Sequence, residues 1–108
     1  MITLGQFKQV EMKVGFVTQA VNQEGSEKLI KLTVDLAEEQ PRTIYTAVRA
    51  FGYTPEYFVS KRFIFVTNIE PKKIIDDYSQ GMIMAAGGDD KPIFLIPAEE
   101  VAIGAAVR

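Results

Sequence analysis

The sequence predicts an all-β fold, a small closed barrel of five short strands with one short helix between the third and the fourth. Three observations predict it. Apolar and polar residues alternate over several short stretches, as half-buried strands require. Clusters of Gly, Pro, Asn, Asp and Ser separate these stretches at fairly regular intervals. One helix-start signal, Thr54-Pro55-Glu56, interrupts them once, after the third stretch.

The first strand spans Glu11 to Val21, with Met12, Val14 and Phe16 directed one way and Lys13 and Gly15 the other. Gly15 inside that pattern predicts a bend or bulge, which small barrels need at their corners. Asn22-Gln23-Glu24-Gly25-Ser26 makes a turn, and Lys28 to Leu36 the second strand. There Ile30, Leu32 and Val34 share one face and Lys31, Thr33 and Asp35 the other, so one face meets a core and one meets water. Ala37-Glu38-Glu39-Gln40-Pro41 closes a hairpin into the third strand, Arg42 to Val48. Thr54 caps a short helix that carries Pro55 at its first position and Glu56 in its first turn, ending near Val59 or Ser60.

Arg62 to Asn68 is the fourth strand, apolar on both faces until its end. A loop carrying Pro71 leads to Ser79, and Gly81 to Ala86 is the fifth strand. Gly87-Gly88-Asp89-Asp90 turns into Pro92 to Pro97, and Ala102 to Val107 is short-stranded or irregular. Three strands, a helix and two strands is the order of the OB-fold, a five-stranded Greek-key barrel and a frequent oligonucleotide platform. The chain is expected to be one domain over 1–108, with the barrel over about 10–86 and a C-terminal extension over about 87–108.

Composition narrows the function. The chain has no histidine and no cysteine, which removes Ser-His-Asp triads, cysteine nucleophiles, disulfides and the usual zinc sites. No tight cluster of carboxylates, lysines and tyrosines replaces them, so no catalytic residue, cofactor site or metal site is expected. The pairs Asp76-Asp77 and Asp89-Asp90 read as solvated turns in preference to a magnesium site. No apolar run approaches the ~20 residues a membrane span needs, and the first residues lack a secretory pattern. A cytoplasmic protein is the expectation.

The net charge of −2 is unevenly spread. Lys61, Arg62, Lys72 and Lys73 face only Glu70 in their stretch, a local +3, whereas residues 74–108 carry a local −4. A basic patch on an acidic body is one reading of this, and a mixed solvated surface is the other.

Several segments together resemble a known family. They are Phe7 with Val10-Glu11-Met12-Lys13-Val14-Gly15, Glu27-Lys28-Leu29 leading to Val34-Asp35-Leu36, and Tyr53-Thr54-Pro55-Glu56. Val66-Thr67-Asn68-Ile69-Glu70-Pro71-Lys72 and Ser79-Gln80-Gly81-Met82-Ile83-Met84-Ala85-Ala86 complete the set. In this order they resemble the tRNA-binding domain family, found as free-standing structure-specific tRNA-binding proteins and at the C-terminus of many methionyl-tRNA synthetases. The chain differs from the family pattern at Thr46-Ala47-Val48, at Asn22-Gln23-Glu24-Gly25 and at Ile75-Asp76-Asp77-Tyr78.

The resemblance implies an OB barrel that recognises the outer corner of tRNA by shape, with Asn68, Ser79 and Met82 on the contacting rim and Lys28 beside them. Lys28, Lys72 and Lys73 would meet phosphates, with Arg42, Arg49, Lys61 and Arg62 as weaker candidates. Each residue also has a structural reading. Asn68 ends a strand and braces a loop; Ser79 caps a loop; Met82 fills the core; Lys72 and Lys73 are solvated. Gly81 serves backbone geometry under either reading.

The apolar residues at both ends, Ile2, Leu4 and Phe7 at the front and Ile93, Phe94, Leu95, Ile96, Val101 and Ile103 at the back, exceed what five strands need. They predict a homodimer, as free-standing family members resemble, or a flap over one end of the barrel. The resemblance thus implies a non-catalytic tRNA-binding module, free-standing or acting in trans to an aminoacyl-tRNA synthetase. The competing reading is a peptide-binding secretion chaperone resembling CsaA.

Overall fold

Ile30, Leu32 and Val34 are fully buried in the computed structural model, which describes residues 1–108, while Lys31, Thr33 and Asp35 between them are partly exposed. They belong to β2 (Ile30–Asp35), which pairs antiparallel with β1 (Met12–Asn22) on one side and β3 (Arg42–Thr46) on the other. β1 also pairs with β4 (Arg62–Val66), and β4 with β7 (Met82–Ile83), giving the order β3-β2-β1-β4-β7. This is a five-stranded barrel with OB-fold order. Its core unites Val17, Ile30, Leu32, Val34, Ile44, Phe63, Phe65 and Ile83. Each such side chain contributes about 1.5–3 kcal/mol on leaving water.

Between β3 and β4 lie a 3-10 turn, Arg49–Phe51, and α2, the single helical turn Pro55–Phe58. Thr54 holds the extended conformation of an N-cap, but its side chain makes no capping bond. α2 delivers Phe58, fully buried, to one end of the barrel, where Tyr53 and Phe94 pack on it.

The two faces of β1 divide as the alternation predicts, and the structure decides which of them is inside. Directly opposite residues in an antiparallel pair share a face. Gly15 lies opposite Phe63, and a Cβ added to Gly15 would sit 2.7 Å from both Phe65 and Val34. Gly15 and Val17 therefore point into the barrel. Met12, Val14 and Phe16 point outward, where the C-terminal strand and Arg62 cover them. Gly15 does not make the bulge. The register slips between Val17 and Gln19 instead, which brings Ala20, opposite Leu32, back onto the core face.

Three further elements lay outside the expectation. The segment from Pro71 to Ser79 is not a loop but a hairpin of β5 (Lys72–Ile74) and β6 (Asp77–Ser79), turning at Ile75-Asp76. The fifth strand breaks after Ile83, and β8 (Ala85–Gly87) leaves the barrel to pair with β9 (Pro92–Phe94). At the front, α1 (Leu4–Phe7) is one helical turn closed by a capping box between Thr3 and Gln6. β10 (Ala106–Val107) returns along the start of β1, so the tail is stitched to the first strand.

Candidate nucleic-acid interface

The barrel does not close by a backbone ladder at its last seam. The free edge of β3 faces the chain between β6 and β7, and side chains span the gap. Ser79 Oγ accepts the Tyr45 N–H at 3.0 Å and donates to the Gly81 carbonyl at 3.1 Å. Gln80 Oε1 accepts the Thr43 N–H at 2.8 Å, and the Gln80 N–H donates to the Thr43 carbonyl at 2.8 Å. Gly81 must be glycine here, because an added Cβ would lie 2.9 Å from the Val66 carbonyl oxygen and 3.0 Å from Ile44. Arg42 locks the same seam. Its guanidinium makes two 2.8 Å bonds to the Glu38 carboxylate and donates to the carbonyls of Thr67 and Gln80.

This seam presses the β5–β6 hairpin against the outer face of β3. The Tyr45 hydroxyl donates to Asp77 Oδ2 at 2.9 Å, and Asp77 Oδ1 accepts the Tyr78 N–H at 2.8 Å. Burial, then this bond, pushes the Tyr45 phenol up to about 12. The Tyr78 N–H, then the Tyr45 hydroxyl, hold the Asp77 carboxyl below its usual value. Both shifts leave the pair bonded at neutral pH.

Between the hairpin and the barrel runs a cleft of about 250 Å³, its floor and walls formed by Leu29, Tyr45, Ile69, Ile74 and Met82, with Lys72 and Glu70 as its charged lining. It is bounded by the turn after β1, the outer face of β3 and the segment between β4 and β7, which in an OB barrel are the surfaces that take oligonucleotides. Met82 is 46% exposed and so is wall, not core. Lys28 precedes Leu29 at one end, and Lys31 lies opposite Tyr45 on the outer face. Lys28, Lys31, Lys72 and Lys73 have no acid within 4.0 Å, since the three ion pairs of the chain use Lys13, Arg42 and Arg62. The cleft thus offers a short apolar surface beside ammonium groups that close no ion pair, with Glu70 in its lining and Asp77 within electrostatic reach of Lys31.

The structure brings Lys72, Ser79 and Met82 to this cleft, with Lys28 beside it. Ser79 is buried, its hydroxyl committed at the seam on both sides. Asn68 stands apart. Its Oδ1 accepts the Glu11 N–H and its Nδ2 donates to the Gln9 carbonyl, both at 2.7 Å, so it ties the segment leading into β1 to the chain just past β4. Lys73 pairs with Tyr78 on the hairpin face opposite Lys72, so the two neighbouring lysines serve different surfaces. Of the weaker candidates, Arg42 is the seam clamp and Arg49 donates to the Ser26 carbonyl. Lys61 lies over the Tyr57 ring and Arg62 over that of Phe16. Sequence reasoning missed Lys31 at the site, although the alternation Lys31, Thr33, Asp35 already placed it on the outer face.

Residues 12–106 match the family model described as "Putative tRNA binding domain". The chain belongs to this tRNA-binding domain family. Among relatives, the methionine–tRNA ligase of Helicobacter pylori is 36% identical over 106 residues, 98% of this chain and 16% of the ligase. That of Psychrobacter cryohalolentis is 35% identical over 102 residues, covering 94% of this chain and 14% of the ligase. The chain therefore spans about a seventh of the length of these ligases. The crystal structure of a MetRS-related protein from Pyrococcus horikoshii superposes with a TM-score of 0.91 at 38% identity, covering 100% of this chain and 98% of that one. The CsaA chaperone of Bacillus anthracis gives a TM-score of 0.88 at 21% identity, covering 100% and 99%, and so shares the fold. The OB-fold order and the tRNA-binding family expected from the sequence both hold.

Proposed function

We propose that the chain binds folded tRNA by shape, with no catalytic step of its own, through the cleft between the β5–β6 hairpin and the outer face of β3. The observation that carries this reading is the apolar cleft with Lys28, Lys31 and Lys72 around it and no acid paired to any of them. Phosphates would meet the ammonium groups, while Met82, Ile69 and Leu29 offer a dry surface to a ribose edge or an unstacked base. Ser79, Gln80 and Arg42 hold that surface in shape, and Asn68 fixes the segment leading into β1. The protein would act in the cytoplasm, free-standing or beside an aminoacyl-tRNA synthetase.

Filter binding of tRNA across a salt series tests this. With the three lysines of the cleft each neutralising one phosphate, log K against log salt slopes at about −2, from about −0.7 per phosphate on non-duplex RNA. Lys72→Ala weakens binding and makes the slope shallower by about 0.7. Equal binding by wild type and Lys72→Ala at every salt concentration rejects the cleft. The apolar floor also suits an extended peptide. Displacement of tRNA by unfolded polypeptide would support that second reading.

The same proposal includes a homodimer. α1 and β10 border a groove of about 420 Å³ lined by Leu4, Phe7, Val10, Met12, Ala106 and Val107, and Ile2 and Leu4 beside it are 67% and 69% exposed. Apolar surface of this kind at both chain ends favours a self-complementary contact. Light scattering should return twice the 12.0 kDa chain mass at micromolar concentration. A monomer mass at that concentration removes the dimer.

A further inference from the structure

The β5–β6 hairpin has a second face, and its chemistry is unspent. Three of the four tyrosines have structural work. Tyr45 donates to Asp77, Tyr53 donates to the Pro92 carbonyl, and Tyr57 packs among Tyr53, Phe58 and Phe63 beneath Lys61. Tyr78 does none of this. At 52% exposure it is the most exposed aromatic side chain of the molecule, and it stacks on no other ring.

Its backbone, by contrast, is held on both sides. Asp77 before it accepts the Tyr45 hydroxyl, and Ser79 after it accepts the Tyr45 N–H. A large flat ring thus stands in water on a braced strand, whose backbone has little mobility left to lose on binding. Opposite it in the hairpin register stands Lys73, exposed and without an acid within 4.0 Å. A ring beside a free ammonium group, continuous with a lysine-edged cleft one strand's thickness away, fits a nucleotide. The ring takes the base and the ammonium takes the phosphate.

We propose that the outer face of the β5–β6 hairpin is a second RNA contact, in which Tyr78 stacks on an unpaired base and Lys73 neutralises the neighbouring phosphate. The hairpin then stands between two parts of the folded RNA, Lys72 on the cleft side and Lys73 with Tyr78 on the other. This rests on the tRNA-binding reading above, and the test separates the two.

The chain contains no tryptophan, so Tyr78→Trp introduces a single reporter at the proposed contact. Titrated with unfractionated folded tRNA, its emission should be quenched as the protein saturates. Tyr78→Ala should lower affinity about 5- to 150-fold, the range that one base stacked on one ring supplies, and leave the salt slope unchanged. Tyr78→Phe keeps the ring face and should bind like wild type. Lys73→Ala should make the slope shallower by about 0.7. If Tyr78→Ala binds like wild type while Lys72→Ala is weakened, the second face is wrong and the cleft stands. Unquenched tryptophan at saturation, or a loss in Tyr78→Phe equal to that in Tyr78→Ala, also overturns the stacking. A wild-type chain that binds no tRNA overturns both readings.

Discussion

Gly15→Val should destabilise the barrel by about 1–3 kcal/mol, the usual cost of forcing extra methyl groups into a packed core. For a domain of this size that lowers Tm by about 4–8 °C for each kcal/mol. The sign is what makes the experiment decisive. Were Gly15 on the outer face, valine would improve the strand. Glycine in a strand interior gives up backbone entropy, and a β-branched residue fits an exposed pleat better by up to ~1 kcal/mol. In the structure the added Cβ meets Phe65 and Val34 at 2.7 Å, and Phe65 and Val34 have no space to retreat because both are fully buried. Thermal unfolding followed by far-UV circular dichroism reads the difference directly. A Gly15→Val protein with a raised Tm would show that the inward phase of β1 is wrong.

Ser79→Ala should lower stability by about 1–3 kcal/mol, the cost of a buried backbone donor left without a partner. The donor is the Tyr45 N–H, and no backbone carbonyl across the seam can replace the lost hydroxyl, because Ser79 stands where a ladder bond would otherwise form. The amide of Tyr45 should then exchange with solvent faster by the same free energy. RNA affinity should fall as well, since Ser79 lies opposite Lys72 in the hairpin and holds it over the cleft. A hydroxyl that touched RNA directly would give another outcome, weaker binding with Tm and amide protection unchanged. Retained Tm together with retained protection of Tyr45 would refute the seam role.

Much of the fold was legible because strand signals are local. The alternation in β2 named its core residues one by one, and Thr54-Pro55 located α2. The capping box at Thr3 and Gln6 is equally local, a threonine followed three positions later by a glutamine. The hairpin over 72–79 was not legible. Its turn sets β-branched Ile75 at a positive φ, where glycine or asparagine would have signalled it, and its strands persist because β3 holds them through Tyr45.

The candidate site divides in the same way. Lys28, Lys72 and Met82 were recognisable as surface chemistry, and each stands at or beside the cleft. Asn68 and Ser79 were recognisable only as important. Their amide and hydroxyl groups suit RNA and backbone equally well, and the choice depends on partners dozens of positions away, Glu11 and Gln9 for one and Tyr45 for the other.

The sequence by itself determined that this chain is a five-stranded barrel of the tRNA-binding domain family, because side-chain period and family motifs are written along the strand. Only the tertiary structure decided which way β1 faces, how the last seam closes, and that Lys72 and Lys73 stand on opposite sides of one hairpin. The physical reason is that a strand's alternation fixes two faces but not which is inside. That choice belongs to whatever packs across it, here Phe63, Phe65 and Val34 against Gly15, and Tyr45 against Ser79.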